Sequence, residues 1–569
     1  MVIDLEKEKV IGNVESVDTA TVIVHVKDAQ LLSSIQINHL VVIRSSKVGQ
    51  YLIGMVNKIV RKYNSFDNGS DDEDIEEIGS YDLVKITLVG TFIDKVGTKE
   101  NIFKRTLQSV AEIDADCFTM SSETLSNFMG VISKTSALTE NPLKIGKYVL
   151  NDTADAFLDG NKFFQRHAVI TGSTGSGKSF TVATVIEQIE KLKSSNSILF
   201  DIHGEYNTIK GDGIKQYKIA GPGDVMGDNI MFLPYWLLSY EEMLSLLLDR
   251  SDSNAPNQAM LFSKYVIEKK SEFLKGVGRN DVEAQFTIDS PIPYDICSLL
   301  DELRNKDVEV VPGATAGKTK QGDFYGKLSR FIQRLENKVI DKRLNFMFSK
   351  ETGLMEYDYM AKLCEMLLSP ASKNGGVKII DFSEVPSDVL PLIVSLIARV
   401  IFSVQQWVDR DKIHPIALFC DEAHLYIPEN ARQGVEASSL SSFERIAKEG
   451  RKYGVAIVVI TQRPSEVNRT VLSQANNFIA MRLTNVDDQN VIKKLLPDNL
   501  GNYAEMLPIL DVGEALIVGD ACLLPSRIIV DKPVHEPNSA TVNFWDEWSK
   551  DSVGDFINSA VEAMRKQSR

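Results

Sequence analysis

Residues 166–193, RHAVITGSTGSGKSFTVATVIEQIEKLK, determine how the rest of the chain is interpreted. They contain GSTGSGKS (Gly172–Ser179), which matches the P-loop pattern G-x-x-x-x-G-K-[ST] at every defined position. The residues HAVIT before the loop predict a short buried strand, and apolar residues recur at helical spacing after Lys178. A glycine-rich turn between a strand and a helix directs backbone N–H groups toward one point, at the positive end of the helix dipole. This segment therefore predicts a site for a nucleoside triphosphate.

Two side chains of the loop have a predicted chemical role. Lys178 places a positive charge near the β- and γ-phosphates, and the Ser179 hydroxyl is a ligand for Mg²⁺. The predicted contacts with ATP from this segment are Gly172, Ser173, Thr174, Gly175, Ser176, Gly177, Lys178, Ser179 and Phe180.

The composition is typical of a soluble globular protein, since 43% of the 569 residues are apolar and 25% are charged. The five cysteines form no C-x-x-C pair, which argues against a zinc site and fits a reducing cytoplasm. The N-terminal sequence MVIDLEKEKV lacks the apolar core of a signal peptide. The apolar stretch Val389–Val404 contains a proline and an arginine, and it predicts a buried helix rather than a membrane span. We expect a cytoplasmic protein that does not act at a membrane.

Alternating strand and helix patterns predict an α/β fold. The predicted domains are a small N-terminal β-barrel (1–95), a connector (96–150), the first part of the ATPase core (151–234), a helical insertion (235–375), the second part of the core (376–535) and a C-terminal extension (536–569). The barrel strands are expected near Lys9–Val14, Ala20–Val26, Leu40–Ser45, Tyr51–Val60 and Leu83–Phe92.

Two stretches interrupt this pattern. Asp67–Glu77 is strongly acidic and predicts either a solvated hairpin loop or a partner-binding segment. Gly313–Gly322 contains Gly-Lys-Thr but lacks the first glycine of a P-loop and the preceding apolar strand. It predicts a flexible linker.

An apolar run, Pro415–Cys420, leads directly into Asp421 and Glu422, which is the Walker B pattern. The carboxyl ends of parallel strands face the ligand in α/β sheets. Asp421 is therefore predicted to act at the Mg²⁺, and Glu422 to polarise the water that attacks the γ-phosphate.

Polar residues also follow two other predicted strands. Asp201 and Glu205 follow an apolar run and are predicted beside the phosphates, as is His203, which is more typical of a structural residue than of a catalyst. Gln462 follows the strand at Val455–Ile460. It is either a sensor of the γ-phosphate or a strand-end amide that bonds to the backbone.

Arg451, in the GRKYG segment, precedes the same strand at the end opposite the phosphates. An arginine there cannot easily reach its own nucleotide. It is either an arginine finger that reaches a neighbour's nucleotide in a ring, or a solvated cation favoured by the helix dipole. The residues alone leave both readings open.

Four segments together resemble the HerA branch of the HerA/FtsK superfamily of DNA-pumping ATPases. They are GSTGSGKS, DIHGEY (Asp201–Tyr206), LFCDEAH (Leu418–His424) and GRKYGVAIVVITQRPSEV (Gly450–Val467). The resemblance covers most of the chain, and the β-rich N-terminal segment is similar to the barrel of that family. It implies a RecA-like P-loop ATPase core, a homohexamer, and ATP-driven translocation on double-stranded DNA that passes through a central channel.

The resemblance also has implications for single residues and for partners. It implies that Arg451 is the finger acting in trans, that Gln462 is the sensor, and that Arg166 contacts the nucleotide across the subunit interface. Family members typically work with a partner nuclease, and some bacterial members pair with sirtuin-like effectors in defence against phage.

The net charge of −15 (63 Lys and Arg against 78 Asp and Glu) is opposite to the usual charge of a DNA-binding protein. Rings can keep basic residues on their channel loops. The candidates here are Lys210, Lys215, Lys218 and Arg432, which are otherwise ordinary surface cations. Two functions therefore compete: a DNA translocase whose barrel docks a nuclease or effector, and an ATP-responsive scaffold that controls an effector. A conjugation-type coupling ATPase is disfavoured because no membrane segment is predicted.

Overall fold

The computed structural model describes residues 3, 5–26, 28–64, 79–93, 102–107, 109–314, 318–370, 376–496, 498–539, 542–550 and 557–567. The acidic run Asp67–Glu77 lies outside the described residues. The chain forms two compact units, each assembled from separate stretches of sequence. The first unit comprises Met1–Gln188, Gln462–Ser465 and Ala475–Val534, and the second comprises Ile189–Thr461, Glu466–Gln474 and His535–Arg569.

The strands, in chain order, are β1 (Val10–Val17), β2 (Thr21–Val26), β3 (Leu40–Arg44), β4 (Gln50–Asn64), β5 (Gly79–Ile93), β6 (Ile102–Lys104), β7 (Asp116–Thr119), β8 (Leu143–Tyr148), β9 (Asn151–Leu158), β10 (Ala168–Thr171), β11 (Ser197–Asp201), β12 (Ile214–Ile219), β13 (Ile230–Met231), β14 (Val310–Pro312), β15 (Thr319–Gln321), β16 (Val377–Asp381), β17 (Ile416–Cys420), β18 (Val455–Thr461), β19 (Asn477–Met481), β20 (Glu514–Gly519) and β21 (Ser526–Val530). The helices are α1 (Ser122–Ser136), α2 (Gly160–Gln165), α3 (Lys178–Glu190), α4 (Tyr240–Leu247), α5 (Ala255–Gly276), α6 (Asn280–Glu283), α7 (Ile296–Asp307), α8 (Ser329–Ile340), α9 (Asn345–Phe348), α10 (Tyr359–Leu368), α11 (Leu390–Trp407), α12 (Val435–Glu449), α13 (Arg469–Ser473), α14 (Val486–Leu495), α15 (Phe544–Trp548) and α16 (Ile557–Lys566).

The first unit begins with a closed β-barrel. Its strands pair in the order β2–β1–β7–β3–β4–β5, and the pairing of β5 with β2 closes the ring, while β6 adds to β5. Along β2, buried residues alternate with half-buried ones, as expected where one face of a strand meets the core. The five predicted barrel strands are confirmed within a few residues.

The sixth barrel strand, β7, comes from residues predicted to form a connector. It has only four residues, too few to show a periodic hydrophobic pattern. Its antiparallel pairing with β1 and β3 makes it a strand, and this pairing depends on the fold rather than on the local sequence.

A second sheet of the first unit contains the strand that precedes the P-loop. Within this unit the strand order is β10–β19–β20–β21–β8–β9. β10 pairs with β19 in parallel, and the remaining pairs are antiparallel. All four residues of β10 are buried, as expected for a strand that is covered on both faces.

The second unit contains a parallel sheet in the order β13–β12–β16–β11–β17–β18. β17 (IALFC) and β18 (VAIVVIT) are buried at every position, which explains their continuous apolar runs. Because these strands all run in one direction, their carboxyl ends lie at the same edge of the sheet. Asp201 and Asp381 are directly paired across β11 and β16 at that edge.

The helices α4 to α10 occur between β13 and β16, in the stretch predicted as a helical insertion. The prediction of a flexible linker at Gly313–Gly322 is wrong for Thr319–Gln321, which form β15 and pair antiparallel with β14. Residues 315–317 lie outside the described residues. The backbone N–H of Gly313 also donates to the carbonyl of Lys318 at 2.7 Å. A two-stranded hairpin of three-residue strands has too short a pattern to be recognised from sequence.

The helix α11 is, in the described part of the chain, the one that is long and apolar enough to span a membrane, and 72% of it is buried. The prediction of a buried helix here is confirmed. Arg399, which interrupts the apolar run, makes two contacts of 2.7 Å with the carboxylate oxygens of Glu242. Glu242 also closes the capping box with Ser239 at the start of α4. This ion pair ties the insertion to α11.

Replacing Arg399 by Met should destabilise the protein by about 3 kcal/mol, since it leaves the Glu242 carboxylate buried without its cation. Urea-induced unfolding measures the change. The control is Lys412→Met, which breaks the exposed Lys412–Asp409 pair and should change stability little. Equal losses of unfolding free energy in the two variants would contradict the view that burial makes the Arg399–Glu242 pair important for stability.

Candidate nucleotide-binding site

The P-loop leaves β10 after Thr171 and enters α3 at Lys178. Gly175 (φ 73°) and Gly177 (φ 105°) have positive φ, which residues with a Cβ rarely adopt. The N–H of Ser176 donates to the carbonyl of Ser173 at 3.0 Å, and the carbonyl of Ser176 accepts the N–H of Gly513 at 3.0 Å. The curved loop is therefore supported by hydrogen bonds inside the first unit.

Lys178 is the first residue of α3 and is buried, whereas Thr174 and Gly175 at the tip of the loop are exposed. Ser179 and Phe180 are half-buried in the first turn of the helix. This arrangement offers backbone N–H groups, a helix amino terminus and one cation to an anion, which suits a chain of phosphates.

Gln462 meets the P-loop in the first unit. The Thr174 hydroxyl donates to Oε1 of Gln462 at 2.7 Å. The Gln462 side chain therefore lies at the P-loop. No local pattern could have paired these residues, which are 288 positions apart.

Arg166 is the C-cap residue that follows α2, and its Nη1 lies 2.7 Å from Oδ2 of Asp520. The side chains are 43% and 39% exposed, so the ion pair contributes little stability. Another anion can therefore displace Asp520 at small cost.

The Walker B residues Asp421 and Glu422 follow β17 in the second unit and are buried. Glu422 has a left-handed backbone (φ 44°, ψ 45°), an unfavourable conformation for a residue with a Cβ. The buried Tyr426 hydroxyl donates to the carbonyl of Asp421 at 2.8 Å, and the N–H of Leu425 donates to the carbonyl of Glu422 at 2.9 Å. These two bonds hold the strained turn.

His424, which no sequence argument singled out, contacts Glu422. Its Nδ1 lies 3.3 Å from Oε2 of Glu422 and 3.5 Å from Oγ1 of Thr461, the last residue of β18. The LFCDEAH motif contains this histidine, but the direction in which its imidazole ring points depends on the conformation of the Walker B turn. Thr461 joins the group only because β17 and β18 are neighbours in the sheet.

Asp201 ends β11 and shapes the loop that follows it. Its two carboxylate oxygens accept the backbone N–H groups of Glu205 (3.0 Å) and Tyr206 (2.9 Å). Burial raises the pKa of Asp201 to about 6, and the charge of Asp381 adds to the rise, while the backbone hydrogen bonds oppose it. Glu205 is half-buried and His203 is exposed.

Arg451 is exposed on the short 3-10 turn Gly450–Tyr453. None of the described residues forms an ion pair or a side-chain hydrogen bond with its guanidinium. The strand β18 follows this turn, and its seven residues end at Thr461. At a rise of about 3.3 Å per residue, the two ends of β18 are roughly 20 Å apart. Arg451 therefore lies far from the edge at which Asp421 and Glu422 are found.

Two family models match consecutive parts of the chain: the central domain of helicase HerA at residues 143–401 and the helicase HerA-like C-terminal domain at residues 390–542. The two models together span residues 143–542, and the chain therefore belongs to the HerA-type ATPases. It is 27% identical over 422 residues to a probable helicase of Methanocaldococcus jannaschii, covering 73% of this chain and 71% of the relative. It is also 28% identical over 395 residues to the DNA double-strand break repair helicase HerA of Saccharolobus solfataricus, covering 68% of each chain.

Among solved structures, VirB4 of Thermoanaerobacter pseudethanolicus is similar with a TM-score of 0.47 and 16% identity, over 70% of this chain and 98% of VirB4.

Replacing Gly177 by Ala should weaken ATP binding by about tenfold or more, because a Cβ at φ 105° strains the loop that holds the phosphates. Binding of a fluorescent ATP analogue measures the effect. Gly160→Ala is the matched control, since the space around Gly160 is open and its φ is not positive. An unchanged affinity in Gly177→Ala would show that the loop is not the nucleotide site.

Proposed function

We propose that the protein is a ring-forming, ATP-hydrolysing motor that moves on double-stranded DNA, and that the ring is a homohexamer. Membership of the HerA-type ATPases supports ATP hydrolysis, and relatives that are named DNA double-strand break repair helicases support DNA as the substrate. The observation that carries the proposal is the Walker B turn. There Asp421 and Glu422 are buried at the carboxyl edge of a parallel sheet, the edge at which α/β proteins bind ligands.

The proposed chemistry assigns one role to each residue. Lys178 binds the β- and γ-phosphates. The Ser179 hydroxyl and the Asp421 carboxylate are hard oxygen ligands that fit Mg²⁺, which neutralises phosphate charge when bound. Glu422 polarises the attacking water. Gln462, held by Thr174, senses the γ-phosphate.

Arg451 is proposed to act on the nucleotide of a neighbouring subunit. Its exposure and the length of β18 support this assignment, because the guanidinium is far from the carboxyl edge of its own sheet. Arg166 is proposed to contact nucleotide across the same kind of interface, where a phosphate replaces Asp520 as its partner.

The acidic net charge restricts where DNA can bind. Lys218 lies 3.0 Å from Glu384 and 3.3 Å from Asp224, which neutralise it. Lys210 donates to the side chain of Gln216 at 3.1 Å. Arg432 is exposed on the loop after the Walker B turn, and it is the better candidate for a phosphate contact.

A second candidate is an ATP-responsive scaffold that assembles and controls an effector, with DNA translocation dispensable. The net charge of −15 favours this alternative. In both cases we propose a cytoplasmic ring that works with a partner nuclease or a sirtuin-like effector, in defence against phage.

Duplex DNA should accelerate ATP hydrolysis by the wild-type protein, and added salt should reduce the stimulation because phosphate contacts release counterions. The control is Glu422→Gln, which should bind ATP normally but hydrolyse it at least about 100-fold more slowly, with or without DNA. Steady-state phosphate release measures both rates. A wild-type rate that is indifferent to DNA would favour the scaffold, and turnover by Glu422→Gln within about threefold of wild type would remove Glu422 from its role.

Arg451→Ala should bind ATP normally yet hydrolyse it poorly, on the order of 10³-fold more slowly, because the finger is missing from the neighbour's site. Lys178→Ala fails at its own site instead. Mixing the two variants creates some interfaces with an intact P-loop and an intact finger, so part of the activity should return at fixed protein and salt concentrations. Full activity of assembled Arg451→Ala rings would contradict the assignment.

A further inference from the structure

The position of the Glu422 carboxylate is not determined by its own backbone alone. Glu422 occupies a left-handed conformation at the end of β17, and its side chain is 5% exposed. A carboxylate that activates water has to keep one oxygen directed at that water. We therefore expect a neighbouring side chain to fix the direction of the Glu422 carboxylate on this strained, buried turn.

His424 lies in the position to do this. Its Nδ1 is 3.3 Å from Oε2 of Glu422, which is close enough for a hydrogen bond although the two groups are not aligned as one here. Catalytic hydrogen bonds are often long in structures without substrate and shorten when it binds. An ionised carboxylate only accepts hydrogen bonds, so a hydrogen bond between these two groups has to be donated by Nδ1 of the imidazole.

A second contact restricts the imidazole ring. Nδ1 is also 3.5 Å from the hydroxyl of Thr461, which ends β18 and is buried. The imidazole is 18% exposed, so it is packed rather than solvated. The ring thus lies between the Walker B turn and the end of the neighbouring strand.

We propose that His424 is a positioning residue, which donates a hydrogen bond from Nδ1 to Glu422 and so orients that carboxylate for water activation. The inference rests on the proposed role of Glu422. It requires neither a ring of defined size nor DNA as substrate. The imidazole does not touch the nucleotide in this role, so it should affect kcat and leave nucleotide affinity unchanged.

Three substitutions at residue 424 test the role of Nδ1. His424→Ala removes the donor and should lower kcat for basal ATP hydrolysis about tenfold, with affinity for a slowly hydrolysed ATP analogue within twofold of wild type. His424→Asn places an amide N–H₂ on the same γ-carbon that carries Nδ1, and it should restore kcat to within about threefold of wild type. His424→Gln places its amide one bond further along the side chain, and it should remain as slow as His424→Ala.

Single-turnover measurements in the Glu422→Gln background separate this inference from the assignment of Glu422. With the carboxylate already replaced, His424→Ala should cause no further loss, because both changes affect one step. If Glu422→Gln hydrolyses ATP like wild type, the role of Glu422 is wrong. If Glu422→Gln is inactive while His424→Ala keeps kcat within twofold of wild type, only the role of His424 is wrong. Equal rates for the Asn and Gln variants, or a loss of affinity parallel to the loss of kcat, also overturn it.

Discussion

The buried carboxylates at the ends of parallel strands are the constraint on which this site depends. The order β16–β11–β17 brings three strand ends to one edge, and a charge taken out of water there is costly unless it is hydrogen-bonded. Asp201 is compensated by the backbone of its own loop. Tyr426 holds the backbone of the Walker B turn, and His424 lies beside the Glu422 carboxylate. The loop after β11 and the turn after β17 are thus supported by different neighbours.

Burial of charged side chains also affects how the net charge relates to the charge of the surface. Several cations that count toward the 63 Lys and Arg are buried inside the fold. Nζ of Lys378 donates to the Asn196 side chain at 2.9 Å, and burial lowers the pKa of Lys378 to about 8. Nζ of Lys270 donates to two backbone carbonyls at 2.7 Å, and burial lowers its pKa to about 8 as well. These lysines stabilise loops and cannot meet DNA. Among the described residues, however, nine Asp and Glu residues are buried against three Lys and no Arg, so the surface is less acidic than the composition suggests.

Strong local patterns predicted the parts of the fold that have them. The five longer barrel strands and the buried helix α11 carry hydrophobic periodicity over enough residues to be recognised, and the P-loop segment has a fixed spacing. The four-residue β7 and the hairpin of β14 and β15 have none, since three or four residues cannot define a period. These segments form strands because they pair with neighbouring strands. The predicted barrel therefore has six strands instead of five, because β7 pairs with β1 and β3.

The sequence by itself determined the candidates for the chemistry: the P-loop, the Asp-Glu pair after an apolar run, and an arginine at the far end of the next strand. Only the tertiary structure decided which of these side chains contact one another. Thr174 with Gln462, Arg399 with Glu242, and Thr461 with His424 are contacts between residues distant in the chain. The physical reason is that residue type and spacing report burial and local conformation. Contacts between distant side chains depend instead on strand order and on the direction in which each side chain leaves its backbone.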